Sequence, residues 1–270
     1  MLTIAGSDSG GGAGIQADLK AFARCGVHGM SAITAITVQN TVEVRAVHPV
    51  AGEVVLAQVR AVLADIGVDA VKVGMLGTAE VTLAVARALD ELPPGTPVVV
   101  DPVMVSESGA RLLEPEAQRA LIAEILPRAT VLTPNLPEAR VLTGEHPRSA
   151  EREEDEEVEA LARAVLALGP RVVVLTGGHR AHASDLFLDS LGDGSAVSIE
   201  GERHPDGAAH GSGCTHSSVL AAQLALGRSP LQAARTARAL AGAAVANGLR
   251  DIGEGAGPVD VLDLARMRGS

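Results

Sequence analysis

Short apolar runs alternate along the chain with segments whose apolar residues recur at helical spacing. Val98–Val100 and Val172–Leu175 contain no polar position, which is typical of strands buried on both faces. Alternation of this kind predicts an α/β fold in which helices flank a central, mostly parallel sheet. The other predicted strands are Leu2–Ala5, Ser31–Val38, Ala70–Val73 and Thr130–Leu132. The predicted helices are Ile15–Cys25, Glu53–Ile66, Ala79–Leu92, Gln118–Leu126, Leu136–Leu142, Val158–Leu168, Cys214–Leu226 and Leu231–Ala246.

One segment departs from this alternation. Leu186–Asp189 and Ala196–Ile199 are typical of a hairpin around Gly192–Gly194, which predicts an antiparallel edge on the sheet. The polar segment Glu145–Glu157 is interpreted as a loop followed by the acidic first turn of a helix, in preference to a mobile active-site flap. No long linker and no internal repeat divides the chain, so residues 1–270 are expected to form a single domain.

Composition restricts the ligands and the location. The only aromatic residues are Phe22 and Phe187, so a flat heterocycle would be held by backbone groups, aliphatic side chains and Met. A net charge of −11 without a basic stripe argues against a nucleic-acid partner.

The expected location follows from other features of the sequence. No apolar run approaches the roughly 20 residues of a membrane span, and the Gly-rich start lacks the basic residues of a signal peptide. Cys25 and Cys214 form no CxxC pair, which predicts reduced thiols in the cytoplasm.

The segment Gly211-Ser212-Gly213-Cys214 precedes a long predicted helix. Its glycines let successive N–H groups point at one spot, and a helix N-terminus adds unpaired donors. This pattern predicts an anion hole suited to phosphoryl transfer, in whose positive field Cys214 would favour its thiolate form. Two alternatives remain open: an ordinary Gly-rich turn with Cys214 as a small buried residue, and a Cys–His nucleophile with His210. His216 is expected to face solvent or a neighbouring ligand.

The first glycine-rich segment along the chain, Gly6–Gly14, follows the first predicted strand. Its end fits the G-x-G-x-x-A pattern of dinucleotide-binding sites. Such a site needs an acidic residue about 20 positions further on. The first acidic residue at or beyond that position is Glu43, which is too late, so a dinucleotide site is not predicted. Neither Lys20 nor Lys72 follows a Gly, so a Walker A loop is absent. The glycines are therefore better explained by close approach of the backbone to a small substrate, with a flexible loop as the alternative.

Three more segments follow predicted strands, where ligands bind in open α/β sheets. Asp101 follows one strand, and Thr176–His179 ends another. Asn135 and Glu138 lie one helical turn apart after a third. They have the spacing of a helix capping box, and they could equally present oxygens to the waters of a Mg²⁺ ion.

Together these segments resemble the hydroxymethylpyrimidine/phosphomethylpyrimidine kinase family, a branch of the ribokinase-like superfamily. The resemblance runs from Leu2 to about Pro258. It is carried by Ala5–Asp8, Gly12–Lys20, Val38–Thr41, Lys72–Leu76, Asp101–Met104, Thr133–Ala139, Gly177–His179 and His210–Thr215. It implies a ribokinase-like fold and ATP- and Mg²⁺-dependent phosphorylation of 4-amino-5-hydroxymethyl-2-methylpyrimidine, and of its monophosphate to the diphosphate, in thiamine diphosphate biosynthesis.

The resemblance also implies roles for individual residues, and a homodimer. Gln39 would hydrogen-bond the pyrimidine edge, in a pocket lined by Gly6, Ala13, Met75 and Val103. Gly211, Ser212 and Gly213 would form the anion hole, where Cys214 would accept or steer the hydroxyl proton. Asn135 and Glu138 would organise Mg²⁺, with Asp101 as a further candidate, and Thr176, Gly178 and Asn135 would contact the nucleotide.

The chain departs from the family pattern at several positions. Thr176 stands where many members carry Lys, so an Arg elsewhere is expected to supply that charge. Glu107 and Ala110 replace a Lys and an Asp, and His216 replaces Leu. The competing hypotheses are a pyridoxal/pyridoxine kinase, a Cys-dependent acyl transferase or hydrolase, and a non-catalytic pyrimidine-binding protein.

Overall fold

The computed structural model describes residues 1–106, 108–145, 155–177, 183–205 and 207–264. Its strands are β1 (Leu2–Asp8), β2 (Met30–Gln39), β3 (Val44–Pro49), β4 (Val71–Val73), β5 (Val98–Val100), β6 (Val131–Leu132), β7 (Val172–Leu175), β8 (Asp185–Asp189) and β9 (Val197–Ile199). Its helices are α1 (Gly14–Arg24), α2 (Gly52–Asp65), α3 (Ala79–Asp90), α4 (Pro115–Ala120), α5 (Leu136–Thr143), α6 (Asp155–Leu166), α7 (Ser212–Ala225) and α8 (Pro230–Ala246).

All the described strands belong to one sheet, in the order β3-β2-β1-β4-β5-β6-β7-β8-β9. The six strands from β2 to β7 in this order are parallel to one another. The antiparallel edge predicted from the hairpin is confirmed by β8 and β9. A second antiparallel edge, β3, was not predicted. Its exposed Arg45, His48 and Pro49 remove the apolar alternation by which a strand is recognised.

The sheet is buried on both faces. Val98 and Val100 point into one core layer, against α2, α3, α5 and α6, whereas Val99 points into the other, against α1, α7 and α8. This follows from the two-residue period of a strand. Phe22 and Phe187 both lie in the second layer, so no aromatic side chain is left for a ligand.

One helical segment differs in form from the prediction, whereas the ends of the other helices shift by at most three residues. The helix predicted at Gln118–Leu126 begins earlier, at Pro115, because proline suits the first turn of a helix. After α4 the chain continues as a π-helical turn, Leu121–Ile125, and a 3₁₀ turn, Leu126–Arg128. Helix α6 begins with three acidic residues as expected, and residues 146–154 lie outside the described structure.

Candidate active site

A cavity of about 520 Å³ lies where the parallel strands end and α7 begins. This size is usual for small-molecule sites, which span roughly 300–1,000 Å³. Every described residue that the sequence assigned to the site lines this cavity: Gly6, Ala13, Gln39, Met75, Asp101, Val103, Asn135, Glu138, Thr176, Gly211, Ser212, Gly213 and Cys214. Gly178 lies outside the described residues. The cavity brings the predicted residues together, and their individual roles stay predictions.

The first glycine-rich segment is an ordered loop wrapped around the Asp8 carboxylate. The N–H groups of Gly10, Gly12 and Ala13 donate to it at 2.7, 3.0 and 2.8 Å. Burial opposes ionisation, but hydrogen bonds from His210, Ala13 and Gly10 outweigh it and lower the pKa of Asp8 below its usual value. The loop is therefore held in one conformation rather than flexible.

The two glycine-rich segments touch each other. His210 places Nε2 3.1 Å from Asp8 Oδ2, and a Cβ on Gly211 would lie 1.8 Å from the Gly12 carbonyl oxygen. Gly211 also has a left-handed backbone, with φ of 83°. Because this His210 nitrogen faces a carboxylate, the arrangement does not favour the hypothesis of a Cys214–His210 nucleophile.

Helix α7 presents its N-terminus to the cavity. The Ser212 N–H donates to the Ala209 carbonyl at 3.0 Å, so it is not free to bind an anion, which corrects that part of the predicted anion hole. No described residue accepts from the N–H groups of Gly213 and Cys214. First-turn donors of this kind carry the positive end of the helix dipole and bind anions well.

The Cys214 thiol does not have the expected protonation state. Burial raises its pKa to about 12, and the Asp101 and Asp18 carboxylates contribute. Lys72 and the N–H of Gly14 act in the opposite direction but are outweighed. The increase in the Cys214 pKa caused by desolvation therefore exceeds any decrease caused by the helix N-terminus, and Cys214 is a neutral thiol at neutral pH.

We expect Cys214 to react very slowly with iodoacetamide at pH 8, because a pKa of about 12 leaves roughly one thiolate in 10⁴ molecules. The rate should rise about tenfold per pH unit. Intact-mass spectrometry would measure the alkylation rate in a Cys25→Ser background, which leaves Cys214 as the one thiol of the chain. A rate at pH 8 close to that of free cysteine would contradict the assignment.

A fully buried ion pair lies beneath the thiol. Lys72 Nζ is 2.9 Å from Asp18 Oδ1 and 3.8 Å from Asp101 Oδ2. Asp18 also accepts hydrogen bonds from Thr3 (2.6 Å) and Ser218 (2.7 Å). Burial alone would lower the pKa of Lys72, but Asp18, Cys214 and Asp101 raise it above its usual value. Lys72 was not among the site residues predicted from the sequence, although a Lys inside an apolar strand was a usable signal.

The predicted magnesium residues form a helix cap that leaves carboxyl groups at the cavity. Asn135 Oδ1 accepts from the Glu138 N–H at 2.8 Å, and Glu138 Oε2 accepts from the Asn135 N–H at 2.9 Å. Burial and the nearby Asp101 raise the pKa of Glu138 to about 8, despite N–H donors from Asn135 and Met104. Burial also raises the pKa of Asp101, although Lys72 opposes it.

These two carboxyl groups fit a Mg²⁺ ion, since a cation between them would remove their mutual repulsion. The described residues contain no group of three His, Cys, Asp or Glu side chains that could hold a metal. Mg²⁺ would therefore keep water or phosphate oxygens as its other ligands, which is its usual behaviour.

The cavity wall around Gln39 suits a small heterocycle. Gln39 Oε1 accepts from the Thr37 hydroxyl at 3.1 Å, which orients the side-chain amide. The Met75 carbonyl accepts from Thr34 at 2.6 Å, and a Cβ on Gly6 would lie 3.1 Å from the Met75 sulfur. Gly6 thus lets Met75 approach, and the wall is apolar without aromatic residues.

The cavity lining also contains a polar cluster that was not predicted. His216 is buried, with Nε2 3.1 Å from Asp185 Oδ2, so the expectation that it faces solvent is wrong. Arg238 Nη1 lies 3.7 Å from Asp185 Oδ1. The Gly177 N–H donates to the same Asp185 oxygen at 3.1 Å.

The sheet order and the position of the cavity define the class of protein: an α/β protein of ribokinase-like fold with a small-molecule site at the strand ends. Among the described residues, no helix is both long and apolar enough to cross a membrane. The family model for phosphomethylpyrimidine kinase matches residues 8–260, and the chain belongs to this family.

Individual relatives agree with this assignment. The hydroxymethylpyrimidine/phosphomethylpyrimidine kinase of Rhizobium meliloti is 48% identical over 261 residues, covering 96% of this chain and 95% of the relative. The crystal structure of Clostridium difficile phosphomethylpyrimidine kinase aligns with a TM-score of 0.75 and 39% identity, over 88% of this chain and 95% of the other. Staphylococcus aureus pyridoxal kinase in complex with AMP-PCP and pyridoxal aligns with a TM-score of 0.86 and 34% identity, over 98% and 94%.

Proposed function

We propose that this protein transfers the γ-phosphoryl group of ATP to the hydroxymethyl group of 4-amino-5-hydroxymethyl-2-methylpyrimidine, and then a second phosphoryl group to the monophosphate. The observation that carries the proposal is a single cavity that joins the free N–H groups of α7 to the apolar wall beside Gln39. The names of the relatives support the substrate, and the nucleotide analogue bound by the S. aureus enzyme supports ATP.

The chemistry follows from the geometry of the cavity. In each step an acceptor oxygen bonds to the γ-phosphorus while the bond to the β-phosphate oxygen breaks, and in the first step the proton of the hydroxyl group passes to an oxygen of the transferred phosphoryl group. The N–H groups of Gly213 and Cys214 stabilise the charge that develops on the transferred group. Asn135, Glu138 and Asp101 would hold a Mg²⁺ ion, which would supply further charge neutralisation when bound. A neutral thiol cannot accept a proton, so Cys214 is assigned to orienting the hydroxyl group by hydrogen bonding.

This role predicts that Cys214→Ala affects the two steps differently. We expect the first phosphorylation to slow about 10- to 100-fold, because the hydroxyl loses its orienting partner. The second step, whose acceptor is already a phosphate, should change less than about threefold. Each substrate is supplied separately and ADP release is measured. Cys25→Ala, which is remote from the cavity lining, serves as the control. Equal losses in both steps would contradict the role.

The substrate is tested by comparing kcat/KM for the pyrimidine and for pyridoxal. The proposal expects a clear preference for the pyrimidine, and turnover of pyridoxal alone would replace it with pyridoxal kinase activity. A covalent acyl-enzyme formed without ATP would indicate an acyl transferase, and tight binding without turnover would indicate a binding protein.

We also propose, from the family resemblance, a cytoplasmic homodimer, for which sedimentation should give twice the chain mass of 27.4 kDa.

A further inference from the structure

The polar cluster formed by Asp185, His216 and Arg238 has more buried polar atoms than partners. The side chains are 0%, 6% and 13% exposed, respectively. Asp185 Oδ2, both ring nitrogens of His216 and Arg238 Nε make no hydrogen bond with any described residue. His216 Nε2 and Asp185 Oδ2 are 3.1 Å apart without hydrogen-bond alignment. Because buried polar groups normally find partners, these atoms point to a ligand or to a small adjustment on binding.

The cluster lies next to the proposed anion hole. His216 follows Cys214 by two residues on α7, and Asp185 is tied to Gly177 at the end of β7. All three cluster residues line the same cavity as the free N–H groups of α7. A ligand that reaches from the anion hole towards α8 therefore passes the Arg238 guanidinium.

Arg238 is held on several sides. Its Nη2 donates to the Ala183 carbonyl, and Nη1 faces Asp185. A Cβ on Gly201 would lie 1.9 Å from Arg238 Nε, so the backbone of Gly201 packs directly against the guanidinium. The other arginine among the described lining residues, Arg203, is exposed. A planar donor group fixed in this way suits phosphate oxygens better than a mobile surface cation.

We propose that Asp185 and His216 are positioning residues that fix Arg238 as the cation for the polyphosphate chain of the nucleotide. The inference rests on the proposed function and names the arginine that provides the charge missing at Thr176. Asp185 Oδ1 faces the guanidinium at 3.7 Å, and His216 Nε2, 3.1 Å from the other carboxylate oxygen, would hold that oxygen once the two groups align on nucleotide binding. A Leu at position 216 would leave that oxygen buried without a neighbouring donor.

The test compares His216→Leu, His216→Gln, Arg238→Gln and Gly201→Ala with the wild type. Arg238→Gln should raise KM for ATP about 10- to 100-fold, and His216→Leu about five- to tenfold, with kcat and the pyrimidine KM nearly unchanged. His216→Gln, whose amide nitrogen replaces Nε2, should recover most of the loss. Gly201→Ala removes no polar group but displaces the guanidinium, so it should resemble Arg238→Gln. His28→Leu, at an exposed site, should change nothing.

Calorimetric binding of ADP and AMP provides the decisive readout. In the wild type ADP should bind more tightly than AMP, and this ratio should fall about tenfold in His216→Leu and in Gly201→Ala. Unchanged ratios in both folded variants would overturn the positioning role. Because this comparison needs no pyrimidine, it decides the inference even if the wild type phosphorylates nothing, an outcome that would remove only the proposed function.

Discussion

Lys72→Met should lower the free energy of unfolding by about 3–5 kcal/mol, because it leaves Asp18 buried without its cation. Asp101, whose carboxylate also faces Lys72, would lose the same charge. The side chains of Lys72 and Asp18 are both fully buried, so water cannot replace the missing cation beside Asp18. Urea unfolding followed by far-UV circular dichroism measures the change.

Two further variants make the comparison specific. Asp18→Asn combined with Lys72→Met removes both charges and should recover much of the loss, since neutral replacement of a buried pair is often tolerated. Arg60→Met removes an ion pair with Glu91 whose arginine is 58% exposed, and should lower the free energy of unfolding far less than Lys72→Met, because solvent screens an exposed pair. A similarly small effect of Lys72→Met would show that the buried pair is not required for stability.

Gly211→Ala should reduce kcat/KM at least about 100-fold, because it displaces the N–H groups of Gly213 and Cys214 from the anion hole. A loss of this size is typical of one missing donor in an anion hole. The added Cβ would lie 1.8 Å from the Gly12 carbonyl, so the start of α7 must move away from the first glycine-rich segment. Steady-state kinetics with ATP and the pyrimidine measure this loss.

Gly227→Ala is the matched control. Gly227 has nearly the same backbone, with φ of +79° against +83° for Gly211, but a Cβ there would meet no atom within 4 Å. Both variants share the conformational cost of a left-handed residue, about 1–2 kcal/mol. Only Gly211→Ala should lose activity in the folded protein. Equal activity of the two would exclude a catalytic need for the contact with Gly12.

The parts of the fold with strong local patterns were predictable from sequence. Val98–Val100 and Val172–Leu175 have no polar position and form strands buried on both faces. The glycine-rich segments and the capping box of Asn135 and Glu138 are also local, so their spacing identified them. Strand β3 was missed because an exposed edge strand has no apolar face to reveal it.

The remaining features depend on contacts between distant parts of the chain. Asp185, His216 and Arg238 come from three different elements, and no local pattern relates them. The pKa of Cys214 depends on burial and on charges from α1, β4 and the end of β5, which outweigh the helix terminus visible in sequence. Sequence motifs located the site, whereas its protonation states required the packed structure.

Two successive phosphoryl transfers to a pyrimidine in one cavity are tested most directly by incubating the purified protein with ATP, Mg²⁺ and hydroxymethylpyrimidine. The products are resolved over time by ion-exchange chromatography and mass spectrometry. We expect the monophosphate to form first and then to be converted to the diphosphate, with one ADP released in each step. Failure to form any phosphorylated pyrimidine, while ATP is bound and the protein is folded, would contradict the proposed function.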